Sequence, residues 1–281
     1  MRNRMMIMAV VGIMLLVVGC RVEYSETEKV LAPSWADNGD IIYVKEYTRW
    51  KTTYNTFGED CVMIADTFYL MRCDVQGENK ILIRVITSEF GGWTAVSSNS
   101  SSDWAIVSFM GGYARMYLMK LDGSDIDTLG AGMYPDLSPD GSKIVYAKRN
   151  EGIWIMNRDG SGDHKIVSDT TASYPAWSPD DTLIAYGIDG KVNIFNLKNI
   201  QNIKVYDYLY FPNWYTEEKL LVHYSSPNYE GGLLVDIITD KVDTLLHSYI
   251  KSSPDTNYFI GYDGLYFIVN IDGTNKWYIE P

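Results

Sequence analysis

Apolar residues in this 281-residue chain fall in short runs and not in helical stripes. Lys143–Ala147, Ile153–Asn157 and His164–Val167 are three such runs in succession. They are rich in Val, Ile and Tyr and are apolar on both faces. Turn-forming pairs bound them, Ser-Pro-Asp on one side and Asp-Gly on the other. Short β-rich runs between turn signals predict strands that are covered on both sides. Asp-Gly between apolar runs predicts a tight hairpin, because Gly takes the positive φ that the turn demands. These pairs stand at Asp122-Gly123, Asp159-Gly160 and Asp272-Gly273, with Gln76-Gly77 a weaker form. Lys198-Asn199 and Thr239-Asp240 fill the same place less clearly.

The runs belong to a repeat. Tyr134-Pro-Asp-Leu-Ser-Pro-Asp-Gly-Ser-Lys-Ile-Val-Tyr-Ala returns 40 residues on as Tyr174-Pro-Ala-Trp-Ser-Pro-Asp-Asp-Thr-Leu-Ile-Ala-Tyr-Gly. A further copy begins at Phe211-Pro212-Asn213-Trp214, with Glu217-Glu218 in place of the Pro-Asp turn. Another holds Ser253-Pro254-Asp255, and the first is Pro33-Ser34-Trp35-Ala36-Asp37. The most degenerate runs from Trp93 to Phe109, where a Ser-rich turn replaces the motif. Four short strands in a period of about 40 residues predict an all-β chain, a single β-propeller of six four-stranded blades. The blades are expected at 31–88, 89–131, 132–170, 171–208, 209–247 and 248–281. Ring closure is open, since residues 22–30 could add an edge strand to the last blade. The pattern Pro-x-Trp-Ser-Pro-Asp-Gly…Ile-x-Tyr…Asp-Gly resembles the WD40-like, TolB-type propeller repeat. That resemblance covers nearly all of the chain after residue 30 and implies the propeller fold and an envelope location. TolB itself carries an α/β domain before its propeller, for which this chain has no room. The recurring Asp37, Asp140, Asp180 and Asp255 are expected to work in the turns, where Pro presets φ and Asp accepts from nearby amides.

The first nineteen residues read as a signal peptide. Arg2 and Arg4 precede an apolar run from Met5 to Val18, short for a membrane span. It ends in Val17-Val18-Gly19-Cys20, which resembles the bacterial lipobox. That resemblance implies cleavage after Gly19 and lipidation of Cys20. Residues 20–30 are then expected as a lipidated polar tether, reaching about 35 Å at most. Arg21 after the cysteine favours the outer over the inner membrane, with the protein facing the periplasm or the cell surface.

Composition narrows the function. The 22 Tyr, 8 Trp and 8 Phe suit strands. A net charge of −12 argues against nucleic acid and against a polybasic membrane contact. Cys61 and Cys73 leave two readings. They could form a disulfide across a hairpin turning near residues 65–67, or Cys73 could be a free thiol in the apolar slot that other units fill with Met119, Met156 and Val269.

Catalytic chemistry leaves no pattern: there is no G-x-S-x-G elbow and no phosphate-binding loop. The three histidines are His164, His223 and His247. His223 and His247 are expected at strand ends about 10 Å apart, too far to share an ion. Asp122-Gly-Ser-Asp125-Ile-Asp127 lacks the spacing of a calcium loop. No catalytic residue, metal or cofactor is therefore expected. Extra residues collect on the face that carries the strand-two-to-three loops and the blade connections. The largest excursion is expected at 48–65, with a second at 225–232. Candidate partner-binding aromatics on this face are Trp50, Tyr54, Phe57, Trp93, Tyr113 and Tyr229. Tyr134, Tyr174 and Phe211 are expected to pack between blades. The reading is a non-enzymatic, membrane-tethered scaffold that engages an envelope protein or peptide. The alternatives are a lyase- or cyclase-type propeller enzyme and a carbohydrate-binding surface lipoprotein.

Overall fold

A computed structural model describes residues 21–36, 39–55, 58–76, 78–86, 94–98, 103–109, 114–226, 229–245, 249–253 and 255–280. Cys20, Asp37, Phe57, Trp93, Tyr113 and His247 lie outside the described residues, as does the side chain of Tyr229.

The strands form six four-stranded antiparallel sheets, each built from consecutive strands. Blade one is β1 (Arg21–Trp35), β2 (Ile41–Asn55), β3 (Gly58–Cys73) and β4 (Ile81–Ile86). Blade two is β5 (Thr94–Ser98), β6 (Trp104–Phe109), β7 (Arg115–Lys120) and β8 (Ile126–Gly130). Blade three is β9 (Met133–Leu137), β10 (Lys143–Lys148), β11 (Gly152–Asn157) and β12 (His164–Val167). Blade four is β13 (Ser173–Trp177), β14 (Leu183–Ile188), β15 (Lys191–Asn196) and β16 (Gln201–Asp207). Blade five is β17 (Leu209–Thr216), β18 (Lys219–Ser226), β19 (Tyr229–Asp236) and β20 (Val242–Thr244). Blade six is β21 (Tyr249–Ser252), β22 (Tyr258–Tyr262), β23 (Tyr266–Asn270) and β24 (Trp277–Tyr278). The chain is a six-bladed β-propeller.

A buried cluster fills each blade boundary, which explains why the second and third strands are apolar on both faces. Blades three and four share Val145, Ile153, Trp177, Ile184, Tyr186 and Phe195. Blades six and one share Ile260, Ile268 and Ile279 with Trp35, Ile41, Tyr43 and Cys73. The ring closes on this cluster without a shared strand, since blade six is built wholly from the C-terminal chain. Lys80 adds a bond to the Glu280 carbonyl at 2.7 Å.

The turns explain the repeat. Ser138 donates its hydroxyl to Asp140 at 2.6 Å and accepts from the Lys143 amide at 2.9 Å. Ser178 does the same between Asp180 and Leu183, and Ser253 between Asp255 and Tyr258. In the Asp-Gly hairpins, Gly123 and Gly160 take φ of 75° and 83°. The aspartate before each accepts from the amide two residues on.

Two expectations for blade one are corrected. Residues 21–30 are strand and not tether; they pair with β2 from Arg21↔Tyr54 to Leu31↔Val44, and so belong to blade one and not to blade six. The excursion at 48–65 is not a loop. It is the far end of the β2–β3 hairpin, paired from Thr48↔Asp66 to Asn55↔Gly58. Because β3 runs unbroken through Ala65, no hairpin turns there, and Cys61 and Cys73 stand at opposite ends of one strand. Both thiols are free, Cys61 exposed and Cys73 buried, so the disulfide reading fails. Burial pushes the Cys73 thiol up to about 12.

Candidate functional site

Strand one begins and strand two ends on the same face of each blade. On this face β1, β2 and β3 run on past the blade as a three-stranded arm. Second strands in blades two to four have six residues, whereas β2 has fifteen. At about 3.3 Å per residue the excess is roughly 30 Å of sheet. No other layer covers the arm among the described residues, so cross-strand pairs stabilise it. Lys45 pairs with Glu28 at 2.8 Å and Arg49 with Glu26 at 3.5 Å. The Arg49 guanidinium lies 5.1 Å from the Tyr24 ring centroid. Those residues occupy one face. The other carries Trp50 opposite Ser25 and Met63, and Tyr54, whose hydroxyl donates to Glu23 at 3.2 Å. Trp50 and Tyr54 are therefore strand residues, half-buried along the arm, and not residues of an irregular loop.

On the same face, across blades three to five, lies an arc of aromatic rings. The Tyr134 and Tyr174 rings lie tilted at 34° with centroids 3.9 Å apart and hydroxyls 3.0 Å apart. Phe211 meets Tyr174 edge-on at 4.6 Å. Tyr210 lies 6.3 Å and His223 6.2 Å from Phe211. Burial pushes the Tyr174 hydroxyl above its ordinary value, which keeps it a donor. Tyr134, Tyr174 and Phe211 each precede a proline and take left-handed φ of 50°, 53° and 49°. That conformation is costly for a bulky residue and doubly so before Pro. Ala32 occupies the same place in blade one at 47°, so the kink belongs to the repeat and the rings to blades three to five. Tyr210 reaches over Gly190, where a side chain would meet its hydroxyl at 2.9 Å. Packing between blades, expected for Tyr134, Tyr174 and Phe211, is seen in the Tyr134–Tyr174 and Tyr174–Phe211 contacts. Phe211 keeps 51% of its surface exposed and Tyr210 keeps 36%.

The axis carries a second cluster. One repeat position, set by pairing with the second strand, holds Ser34, Ser97, Asp136, Ala176, Asn213 and Lys251 around the ring. Lys251 donates to Ser34 Oγ at 3.0 Å and to the Val96 carbonyl at 3.2 Å. Asp136 accepts from Ser97 Oγ and from the Trp177 amide at 2.7 Å. Burial lowers the Lys251 amine from its ordinary value, and Asp136 opposes that shift. The cluster ties blades six, one, two, three and four at the centre. Its signal in the sequence is a lone Lys at a position that elsewhere holds Ser, Asp, Ala or Asn.

Asp140, Asp180 and Asp255 lie in turns on the opposite face. Tyr229 closes the β18–β19 hairpin opposite Ser226, on the arm-bearing face. Among the described residues no three His, Cys, Asp or Glu side chains come together as metal ligands.

No protein-family model and no curated relative matches the chain. Solved structures do. TolB from Acinetobacter baumannii superposes with a TM-score of 0.62 at 12% identity, over 90% of this chain and 78% of that one. The fold is that of the TolB-type propellers. A nidogen/laminin complex matches at a TM-score of 0.57 and 11% identity, over 78% and 80% of the two chains. Oligogalacturonate lyase from Vibrio parahaemolyticus matches at 0.53 and 13%, over 90% and 95%. At these identities the likeness is one of fold.

Proposed function

We propose that this chain is a lipid-anchored scaffold of the bacterial cell envelope that binds a protein or peptide on its arm-bearing face. The aromatic arc carries the reading. Three rings held in a costly backbone conformation form a ready-made platform with Phe211 and Tyr210 open to solvent. The kink recurs at Ala32 and so belongs to the repeat; what blades three to five add is the rings that it holds in place. Rigid aromatics of this kind bind with little loss of side-chain freedom. The TolB-type fold and the protein complex among the solved structures support a partner that is itself a protein. The lipobox-like Val17-Val18-Gly19-Cys20 supports anchoring through Cys20, in the outer membrane by the Arg21 rule.

A second reading is carbohydrate binding, with or without cleavage. Half-exposed rings also stack on sugars, and the oligogalacturonate lyase shares the fold. The test separates them. Purified propeller is offered envelope extract and a glycan array, beside a Phe211→Ala/Tyr210→Ala form. An envelope protein retained by the native face and lost in the double variant supports the scaffold. Glycan binding lost in the same variant, with no protein retained, replaces it with the second reading.

A further inference from the structure

We propose that the three-stranded arm is a rigid stalk whose tip rests on the bilayer, so that the aromatic face looks toward the membrane across a fixed gap. The inference rests on the lipid anchor at Cys20. The residue after that cysteine, Arg21, is already in strand and pairs with Tyr54 at the tip of the β2–β3 hairpin. Peptide bonds therefore hold the acyl chains beside the arm's far end, with no linker between.

Three observations make the occupant of the tip a lipid surface. First, a strand paired along eleven positions from Arg21 to Leu31 has none of the slack of a tether. Second, charge interrupts both faces of the arm: Glu26, Glu28, Lys45, Arg49 and Lys51 line one beside Tyr24, and Glu23 and Thr52 stand on the other among Trp50, Tyr54 and Met63. The arm stands on the bilayer and does not lie within it. Third, the chain carries a net charge of −12, which drives the propeller body away from anionic headgroups once the tip is fixed. Tyr54, next to the acylated end, has an amphipathic ring suited to the headgroup level. Tyr134, Tyr174 and Phe211 begin their strands on the face from which the arm rises. They are therefore turned to the bilayer across about 30 Å, the extra length of sheet. A partner of that face must reach it from the membrane side.

The test uses full-length lipidated protein in phosphatidylcholine vesicles that carry an acceptor dye on the headgroup. Native Cys61 labels the arm, since Cys73 is buried and its thiol is pushed up to about 12. In a Cys61→Ser background, Tyr208→Cys labels the aromatic face and Lys198→Cys the opposite one. Energy transfer should be strongest from Cys61, weaker from position 208 and weakest from 198, each with one narrow distance. A Lys51→Pro/Thr53→Pro form breaks the central ladder. With its propeller still folded by circular dichroism, its distances should broaden. Equal transfer from 208 and 198, or a broad spread in the native arm, overturns the stalk. Fatty-acid incorporation, lost in Cys20→Ser, is read on the same samples. Incorporation without ordered distances sinks the stalk and leaves the anchor standing, and no incorporation sinks both.

Discussion

Ser138 is the pivot of its turn, because one hydroxyl both donates to Asp140 and accepts from the Lys143 amide. It is fully buried, so its loss strands the Lys143 amide and takes one donor from Asp140, which keeps Ser142. Ser138→Ala or Ser178→Ala should each cost about 1–2 kcal/mol, read as a lower urea midpoint with an unchanged slope. The hydroxyl of Ser138 also holds the Asp140 carboxyl below the usual range, as Ser161 does for Asp159 and Thr274 for Asp272. A carboxyl whose folded pKa is depressed stabilises the fold above its unfolded value, near about 4, and that share is lost as pH falls through the folded value. Urea midpoints should therefore decline below about pH 4. Ser138→Ala should flatten the decline, and an unchanged slope would remove the hydroxyl from the explanation. These turns were legible in the sequence because the same three residue types recur at fixed offsets. The axial tie was not: Lys251 reads as an ordinary surface lysine until register places it beside Ser34 and Val96.

At the scale of elements, blade one is where reading and structure part. Residues 21–30 are polar and acidic, which reads as tether. They are strand, laddered to β2, with Glu28 paired to Lys45 and Glu26 to Arg49 across the two strands. A sheet wet on both faces has no apolar alternation to betray it, so periodicity could not have found the arm. The same blindness made Trp50 and Tyr54 loop residues and suggested the hairpin that would have joined Cys61 to Cys73. Among the buried clusters the arm contributes only its base, through Val44, Phe68 and Leu70. Starting the chain at Leu31 and joining Tyr47 to its partner Thr67 by a two-residue turn should therefore leave the propeller's unfolding transition in place. A collapse of that transition would show that the arm is part of the core. In the native chain a maleimide should modify Cys61 in minutes and spare Cys73 until the propeller unfolds.

For the whole molecule, the ring depends on one boundary, between blades six and one, that no chain connection crosses. Blades six and one meet through Ile260, Ile268 and Ile279 against Trp35, Ile41 and Tyr43, with Lys251 reaching across the axis. Ile268→Ala should cost about 2–5 kcal/mol, since that residue is fully buried at the closure. Lys251→Met should cost about 1–3 kcal/mol by leaving Ser34 Oγ and the Val96 carbonyl without their donor and Asp136 without its nearby positive charge. Thermal unfolding of both beside the native chain checks this; a Lys251→Met transition at or above the native one would show the tie to be dispensable. Fold class and blade number were open to reading because six units repeat one pattern. The working face was open only in part. Tyr134, Tyr174 and Phe211 sit where any blade would pack an aromatic, and their alignment into one arc exists only once three blades are set side by side.

The central claim is that this arc is where a partner binds, and site-specific photocrosslinking in intact cells tests it most directly. A photoreactive residue is placed at Tyr208, beside the arc, and in a second strain at Lys198 on the opposite face. The account expects a discrete crosslinked envelope protein from position 208, lost when Phe211→Ala/Tyr210→Ala is added, and none from 198. The same adduct from both faces, or one from 198 alone, would contradict it.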